Sequence, residues 1–146
     1  MTHVSRVGFT GSRYINPTHH PVIDEVLFAY LDSEEFTTGG AVGVDTYVLR
    51  RLKPMKPHFH RICLPEHGPD WDNPYLDLAD EVIYVPDAMK HPHRSRNKCI
   101  IEHADLMLAF PLHPEEHGQS KRSGTWMTIR MAQKMGVTVF TTVLEP

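Results

Sequence analysis

The sequence predicts an α/β protein with a Rossmann-like three-layer fold, in which a mostly parallel sheet lies between helices. Six strand-like segments alternate with four helix-like segments along the chain. The segment Leu106–Phe110 is apolar at every position, which is typical of a strand buried on both faces. A length of 146 residues fits one domain, and no linker or repeat divides it. We therefore expect a single domain over residues 1–146.

Turn and helix signals divide the first half of the chain. We expect strands at residues 4–10, 35–38 and 59–64 and helices at residues 21–31 and 44–52. Gly11 and the Gly39-Gly40 pair directly follow the first two strands, where glycine favours tight turns. Pro21 suits the first position of a helix, whereas Pro54 lies where the second helix must end.

The second half continues the alternation. We expect strands at residues 81–85, 106–110 and 137–143 and helices at residues 95–103 and 125–134. Ser95 is a residue type that caps helix N-termini, and Gly136 suits the turn after the last helix.

The composition narrows the possible functions. The formal net charge of -3 lacks the basic excess that broad nucleic-acid binding usually requires. Cys63 and Cys99 fit small core residues in a reducing compartment better than a disulfide framework. The sequence shows no apolar signal segment and no run long enough to cross a membrane. We therefore expect a cytoplasmic protein.

The first candidate binding loop follows the first strand. Ligands of parallel sheets bind beyond the carboxyl ends of the strands, near the switch in strand order. Gly11, Ser12 and Arg13 lie at such an end. Free amides, a hydroxyl and a guanidinium are suited to a phosphate. The alternative is an ordinary strand-to-helix turn.

The second loop is rich in glycine. Gly39, Gly40 and Gly43 allow tight turning and close approach by a ligand. Asp45 falls in the first turn of the next helix, where it could accept a ribose hydroxyl or simply favour the helix dipole. The loop lacks both the dinucleotide fingerprint and the P-loop lysine. We therefore exclude an ordinary NAD dehydrogenase and a P-loop NTPase.

Two further segments open helices with polar residues. The candidate phosphate contacts are Arg94, Arg96, Asn97 and Lys98 in one segment and Ser123, Gly124 and Thr125 in the other. Cations at a helix start oppose the helix dipole, and an anionic ligand would relieve that conflict. The alternatives are a solvated basic turn for the first segment and a plain N-cap for the second.

Together these segments resemble the SLOG superfamily, the Rossmann-like group that unites DNA-processing protein A with the LONELY GUY cytokinin-activating enzymes. The resemblance runs from Val7 to about Phe140 and rests on four motifs in the family's order. They are Gly11-Ser12-Arg13, Gly39-Gly40-Ala41-Val42-Gly43-Val44-Asp45, Arg96-Asn97-Lys98-Cys99-Ile100-Ile101, and Ala104-Asp105-Leu106-Met107-Leu108-Ala109-Phe110 followed by Ser123-Gly124-Thr125.

The resemblance implies three functions. The first is binding of a nucleotide or nucleotide-derived ligand, as a sensor, sequestering or carrier protein without a cofactor. The second is cleavage of the N-glycosidic bond of a nucleotide, but Thr128 stands where LONELY GUY enzymes carry a catalytic glutamate. Asp45 and Glu116 are the substitute candidates for that acid. The third is single-stranded DNA binding, which the acidic net charge makes less favoured. The resemblance also implies a homodimer or a larger homo-oligomer.

Histidine pairs and a loop tryptophan have weaker functional interpretations. Two pairs of histidines have the spacing of metal ligands, in His58-Phe59-His60 and in His91-Pro92-His93. We nevertheless expect scattered surface histidines and no metal site. Trp71 either stacks on a base or anchors its loop.

Overall fold

A computed structural model describes residues 3–55, 58–66, 73–86, 92–114 and 123–145. Within them the strands are β1 Arg6–Gly11, β2 Glu35–Thr38, β3 Phe59–Pro65, β4 Glu81–Val85, β5 Leu106–Phe110 and β6 Thr138–Thr141. The helices are α1 His20–Phe28, α2 Val44–Leu52, α3 Pro92–Glu102 and α4 Gly124–Lys134. Short 3-10 helices lie at Pro17–His19 and Pro74–Leu78.

The sheet has six strands in the order β4-β3-β2-β1-β5-β6, and every neighbouring pair is parallel. This arrangement confirms the predicted Rossmann-like fold class. The chain builds outward from β1 to β4 and then crosses to β5 on the other side of β1. The strand order therefore switches between β1 and β5, whose last residues, Gly11 and Phe110, are register partners. A crevice is expected at such a switch point.

Two apolar layers explain why β5 is apolar throughout. Leu108 lies in a cluster with residues of α1 and α2, including Ile23 and Val48. Its neighbour Met107 lies in a second cluster with Ile100 of α3. Alternate side chains of a strand point to opposite faces, so both faces of β5 are covered by helices.

The main differences from the sequence prediction lie at element ends. The helix α3 begins at Pro92, three residues before Ser95. Proline is tolerated in the first helical turn because its missing N–H has no partner there in any case. Ser95 is therefore inside the helix, and its buried hydroxyl has no hydrogen-bond partner among the described residues. The predicted N-cap at Ser95 is wrong.

The prediction that His58 and His60 lie on the surface is also wrong. Both are buried, and both rings pack against Phe36. The Nε2 atom of His58 lies 2.6 Å from the carbonyl oxygen of Leu31. Burial lowers the pKa of His60 to about 4, because the charged imidazolium loses its hydration. His60 lies in β3, and His58 precedes His60 by two residues, so the two side chains lie on the same buried face.

No helix in the described parts of the chain combines the length and the apolar character needed to cross a bilayer.

Candidate functional site

A cavity of about 430 Å³ opens at the carboxyl edge of the sheet, where the strand order switches. Its walls come from the loop after β1, the start of α2, the first turns of α3 and α4, and residues that follow β5. The polar and aromatic residues that line it are Phe9, Thr10, Ser12, Arg13, Tyr14, Asp45, His93, Arg96, Asn97, His113, Ser123, Thr125, Trp126 and Thr128. Its size is in the range of small-molecule binding pockets.

The loop after β1 is held by contacts to both neighbouring elements. The backbone N–H of Ser12 donates to the carbonyl of Phe110 at 3.1 Å, and the carbonyl of Ser12 accepts from Val44 N–H at 3.0 Å. The Ser12 hydroxyl accepts from Tyr14 N–H at 2.9 Å and lies 3.1 Å from the Tyr14 carbonyl oxygen. Ser12 therefore shapes the turn, while Arg13 lies half-buried on the cavity wall.

The glycines of the second loop support the cavity wall without lining the cavity. None of Gly39, Gly40 and Gly43 is among the described residues that line the cavity. Gly43 has a φ of 88°, and a Cβ there would lie 2.4 Å from the carbonyl oxygen of Ser12. Only glycine fits such a position, because both the backbone conformation and the space exclude a side chain. Because residue 43 is a glycine, the turn that contains Arg13 packs directly against the start of α2.

The side chains of Asp45 and Arg96 both lie close to Gly39. A Cβ at Gly39 would be 2.4 Å from Arg96 Nη1 and 3.0 Å from Asp45 Oδ2. Asp45 is 7% exposed, and its Oδ2 accepts from the Ala41 N–H at 3.3 Å. Asp45 is the carboxylate among the described lining residues, and its position beside a guanidinium favours a structural role there.

The basic segment of α3 divides between two faces of its helix. Arg96 and Asn97 are buried and line the cavity together with His93, which is one turn earlier. Arg94 and Lys98 are exposed and are not among the described lining residues. The helical period of 3.6 residues groups positions 93, 96 and 97 on one face, but the period alone does not say whether that face lies toward the cavity or toward solvent.

Arg96 is anchored by several groups. Its Nη1 donates to the Gly39 carbonyl at 2.6 Å, and its Nε donates to Asn97 Oδ1 at 2.8 Å. Its Nη2 lies 3.4 Å from His93 Nδ1. The guanidinium is thus fixed in place at the cavity wall, and a bound anion would meet a pre-positioned cation.

The start of α4 forms the opposite wall. Ser123 is the N-cap, and its Oγ accepts from the Trp126 N–H at 3.4 Å. Gly124 and Thr125 also line the cavity, and the first-turn amides of a helix carry partial positive charge. Thr128 is buried, and its hydroxyl donates to the Gly124 carbonyl at 2.9 Å.

Several lining residues were not predicted as site residues. Tyr14 is 78% exposed at the cavity, and Trp126 donates its indole N–H to the His113 carbonyl at 3.1 Å. In the sequence, Tyr14 follows a glycine turn and Trp126 follows a helix N-cap. An aromatic residue at such a position is the signal that could have indicated a place at the site. Glu116 and Trp71 lie outside the described residues.

The fold matches solved structures of DNA processing protein A. The structure of that protein from Streptococcus pneumoniae aligns with a TM-score of 0.67 and 18% identity, covering 94% of this chain and 50% of the other. The protein from Helicobacter pylori, whose structure concerns its single-stranded DNA binding mode, aligns with a TM-score of 0.65 and 19% identity. That match covers 94% of this chain and 64% of the other.

This chain therefore spans half to about two thirds of the length of these two proteins. No family model matches the sequence, and no curated protein matches it significantly. The structural matches confirm the resemblance to the DNA-processing branch at the level of the fold.

Proposed function

We propose that this protein binds single-stranded nucleic acid, with the phosphate of one nucleotide held in the cavity. The observation that carries this proposal is the convergence of Arg13, the buried Arg96 and the N-terminus of α4 on one cavity at the strand-order switch. The Helicobacter pylori protein, which shares this fold, is described as binding single-stranded DNA. That description supports a nucleic-acid ligand over a free nucleotide.

The geometry suggests how one nucleotide would be held. A phosphate is suited to the space between Arg13 and the first-turn amides of α4. Tyr14 and Trp126 place two aromatic side chains at the same cavity, where bases could stack on them. Stacking tolerates every base, so we expect weak sequence preference.

The affinity should depend only moderately on salt. The one phosphate held in the cavity contributes roughly -0.7 to the slope of log K against log salt for a single strand. This value is small because the net charge of -3 provides no broad basic surface.

The test is fluorescence anisotropy of a labelled oligothymidylate with wild-type protein, Arg13→Ala and Arg94→Ala. Arg94 is the matched control, since it is an exposed arginine that does not line the cavity. We expect Arg13→Ala to weaken binding about tenfold and to reduce the salt slope by roughly 0.7. We expect Arg94→Ala to change affinity less than twofold. Equal effects of the two substitutions, or no binding by the wild type, would exclude this site.

A second candidate function is binding of a free nucleotide-derived ligand. The cavity volume of about 430 Å³ favours it, because one mononucleotide can fill such a space. The test is thermal stability with nucleoside mono- and diphosphates, cyclic nucleotides, ADP-ribose derivatives and NAD. A ligand at about one hundred times its dissociation constant stabilises the fold by roughly 2.7 kcal/mol. Stabilisation without oligonucleotide binding would favour this function over the first.

N-glycosidic cleavage has no comparable support among the described contacts. The Thr128 hydroxyl is bonded to a backbone carbonyl, and Asp45 lies beside Arg96. We therefore expect the nucleotides of the same screen to remain intact when the mixtures are analysed by mass spectrometry.

Homodimerisation is part of the same proposal, since the family resemblance implies it. Multi-angle light scattering with and without oligonucleotide measures it directly, and a mass of 16.7 kDa would identify a monomer.

A further inference from the structure

Three atoms that commonly bind metal ions lie close together on the side of the sheet that α3 covers. Cys63 lies on β3, and Cys99 and His103 lie one turn apart at α3 and its end. Their two sulfur atoms and one imidazole nitrogen all lie within 4.8 Å of one another. The sulfurs are 2.8 Å apart, and His103 Nδ1 is 3.9 Å from Cys99 Sγ. This cluster is separate from the cavity residues.

The donor set has a clear chemical preference. Two thiolates and an imidazole favour zinc-like ions over magnesium or calcium, which prefer oxygen ligands. Two thiolates also neutralise a dication, so the ion could lie in an apolar setting without a large desolvation cost. Cys63 is fully buried and Cys99 is 8% exposed, which matches such a setting.

The surrounding charge is also favourable. Arg61 lies near the cysteines, but its guanidinium is paired with Glu35 at 2.8 Å and Glu81 at 2.7 Å. Glu102 is close enough to act electrostatically on Cys99 and adds a further carboxylate. Arg96 also acts electrostatically on Cys63. Three carboxylates against two guanidinium groups leave one net negative charge around the cluster, which favours a cation.

We propose that Cys63, Cys99 and His103 bind one zinc-class divalent ion, with water as the fourth ligand. Three protein ligands and one open position form a known tetrahedral arrangement for zinc. His103 is half-buried at the end of the helix and is the most exposed of the three ligands, so we expect water to enter from its side. The bound ion would join α3 to β3 and so stabilise the helix that carries Arg96.

The site must open slightly to accept the ion. Zinc–sulfur bonds of about 2.3 Å place two tetrahedral sulfurs about 3.8 Å apart, so the sulfurs must separate by about 1 Å. A χ1 rotation of Cys99, the more exposed cysteine, can supply this movement. His103 Nδ1 lies 2.8 Å from the Cys99 carbonyl oxygen, and ligation through Nδ1 would replace that contact.

The experiment is titration of the reduced, metal-free protein with Co²⁺ and then with Zn²⁺, followed by absorption spectroscopy. Thiolate ligation gives a sulfur-to-cobalt charge-transfer band, which the other histidines of this chain cannot produce. We expect one Co²⁺ per chain in a tetrahedral spectrum, displaced by one equivalent of Zn²⁺. Zinc should also raise the melting temperature.

Variants decide which residues hold the ion. Cys99→Ser should abolish the charge-transfer band or halve it, and His103→Gln should weaken binding by more than the roughly 10–100-fold typical of changes outside the ligand set. His3→Gln is the control, because His3 is an exposed histidine beside Asp32 and Glu34. It should leave the cobalt spectrum unchanged.

Two results would overturn the proposal. One is the absence of a charge-transfer band in the reduced wild-type protein. The other is a band that is the same in wild type, Cys99→Ser and His103→Gln. Circular dichroism checks that His103→Gln is folded. Because His103 is only half-buried, this variant still tests the proposal if Cys99→Ser does not fold.

Discussion

Gly39→Ala tests whether the buried arginine of the cavity is held as the structure shows. Gly39 is not among the glycines with positive φ, so alanine can adopt its backbone conformation. The added Cβ, however, would lie 2.4 Å from Arg96 Nη1 and 2.8 Å from its Cζ. Arg96 is 7% exposed, and a displaced guanidinium has little free space. The cost therefore comes from the contact with Arg96 and not from backbone strain.

The magnitude follows from the contacts that are lost. Displacing Arg96 breaks its 2.6 Å hydrogen bond to the Gly39 carbonyl, and a bond to a charged group contributes about 1.5–3 kcal/mol. Overpacking adds about 1–3 kcal/mol, and the lower entropy of the unfolded alanine variant offsets about 0.4–1 kcal/mol. We expect a net loss of about 1.5–5.5 kcal/mol, which lowers the melting temperature by roughly 5–20 °C in a chain of this size.

The assay is differential scanning calorimetry of Gly39→Ala beside Gly124→Ala. Gly124 is the matched control, because a Cβ there would meet no atom within 4 Å and the residue lies in a helix. Alanine in a helix is favoured over glycine by about 0.5–1 kcal/mol, so this variant should melt at or above the wild-type temperature. A Gly39→Ala protein that melts like the wild type would show that Arg96 is not confined as described, and an equal loss in both variants would point to a general effect of replacing glycine.

Two further predictions concern pH and the turn at the cavity. The pKa of His60 is about 4 in the folded protein against about 6.5 when unfolded, so the unfolded state binds more protons and stability falls with falling pH. Urea denaturation should show that this group contributes a loss of about 2–3 kcal/mol between pH 7 and pH 4.5, and His60→Phe should remove that part of the pH dependence. Gly43→Ala forces an unfavourable φ and a 2.4 Å contact with the Ser12 carbonyl, so we expect at least about 2 kcal/mol of destabilisation by calorimetry and weaker oligonucleotide binding. A Gly43→Ala protein with wild-type melting and wild-type affinity would contradict the packing of the two loops.

Local patterns in the chain were sufficient to predict most of the fold. The bounds of β2, β4, β5 and α2 match the predicted ranges, because each element is flanked by glycine, proline or charged residues that end a periodic apolar run. The start of α3 was predicted three residues late, since Pro92 and His93 do not carry an apolar period and Ser95 resembles a cap. The exposure of His58 and His60 was predicted wrongly, because a histidine has no strong preference for either face until its neighbours are known.

The candidate site was predicted in its segments but not in the roles of its residues. Gly11, Arg13 and Ser123 were placed at one sheet edge correctly, since parallel strands bring their carboxyl ends together. Whether each residue binds a ligand stays a prediction. The structure assigns Gly43 to loop packing and Arg96 to a buried anchor beside Asp45, and those roles depend on contacts between distant segments.

What the sequence by itself determined is therefore the order of strands and helices, the parallel sheet and the segments that lie at its carboxyl edge. These features follow from hydrophobic period and turn chemistry, which act over a few neighbouring residues. Only the tertiary structure decided that Arg96 faces the cavity while Arg94 faces solvent, and that Cys63 meets Cys99 across 36 residues of chain. Such contacts depend on how α3 is rotated against the sheet, and that rotation is fixed by the packing of all its apolar neighbours together.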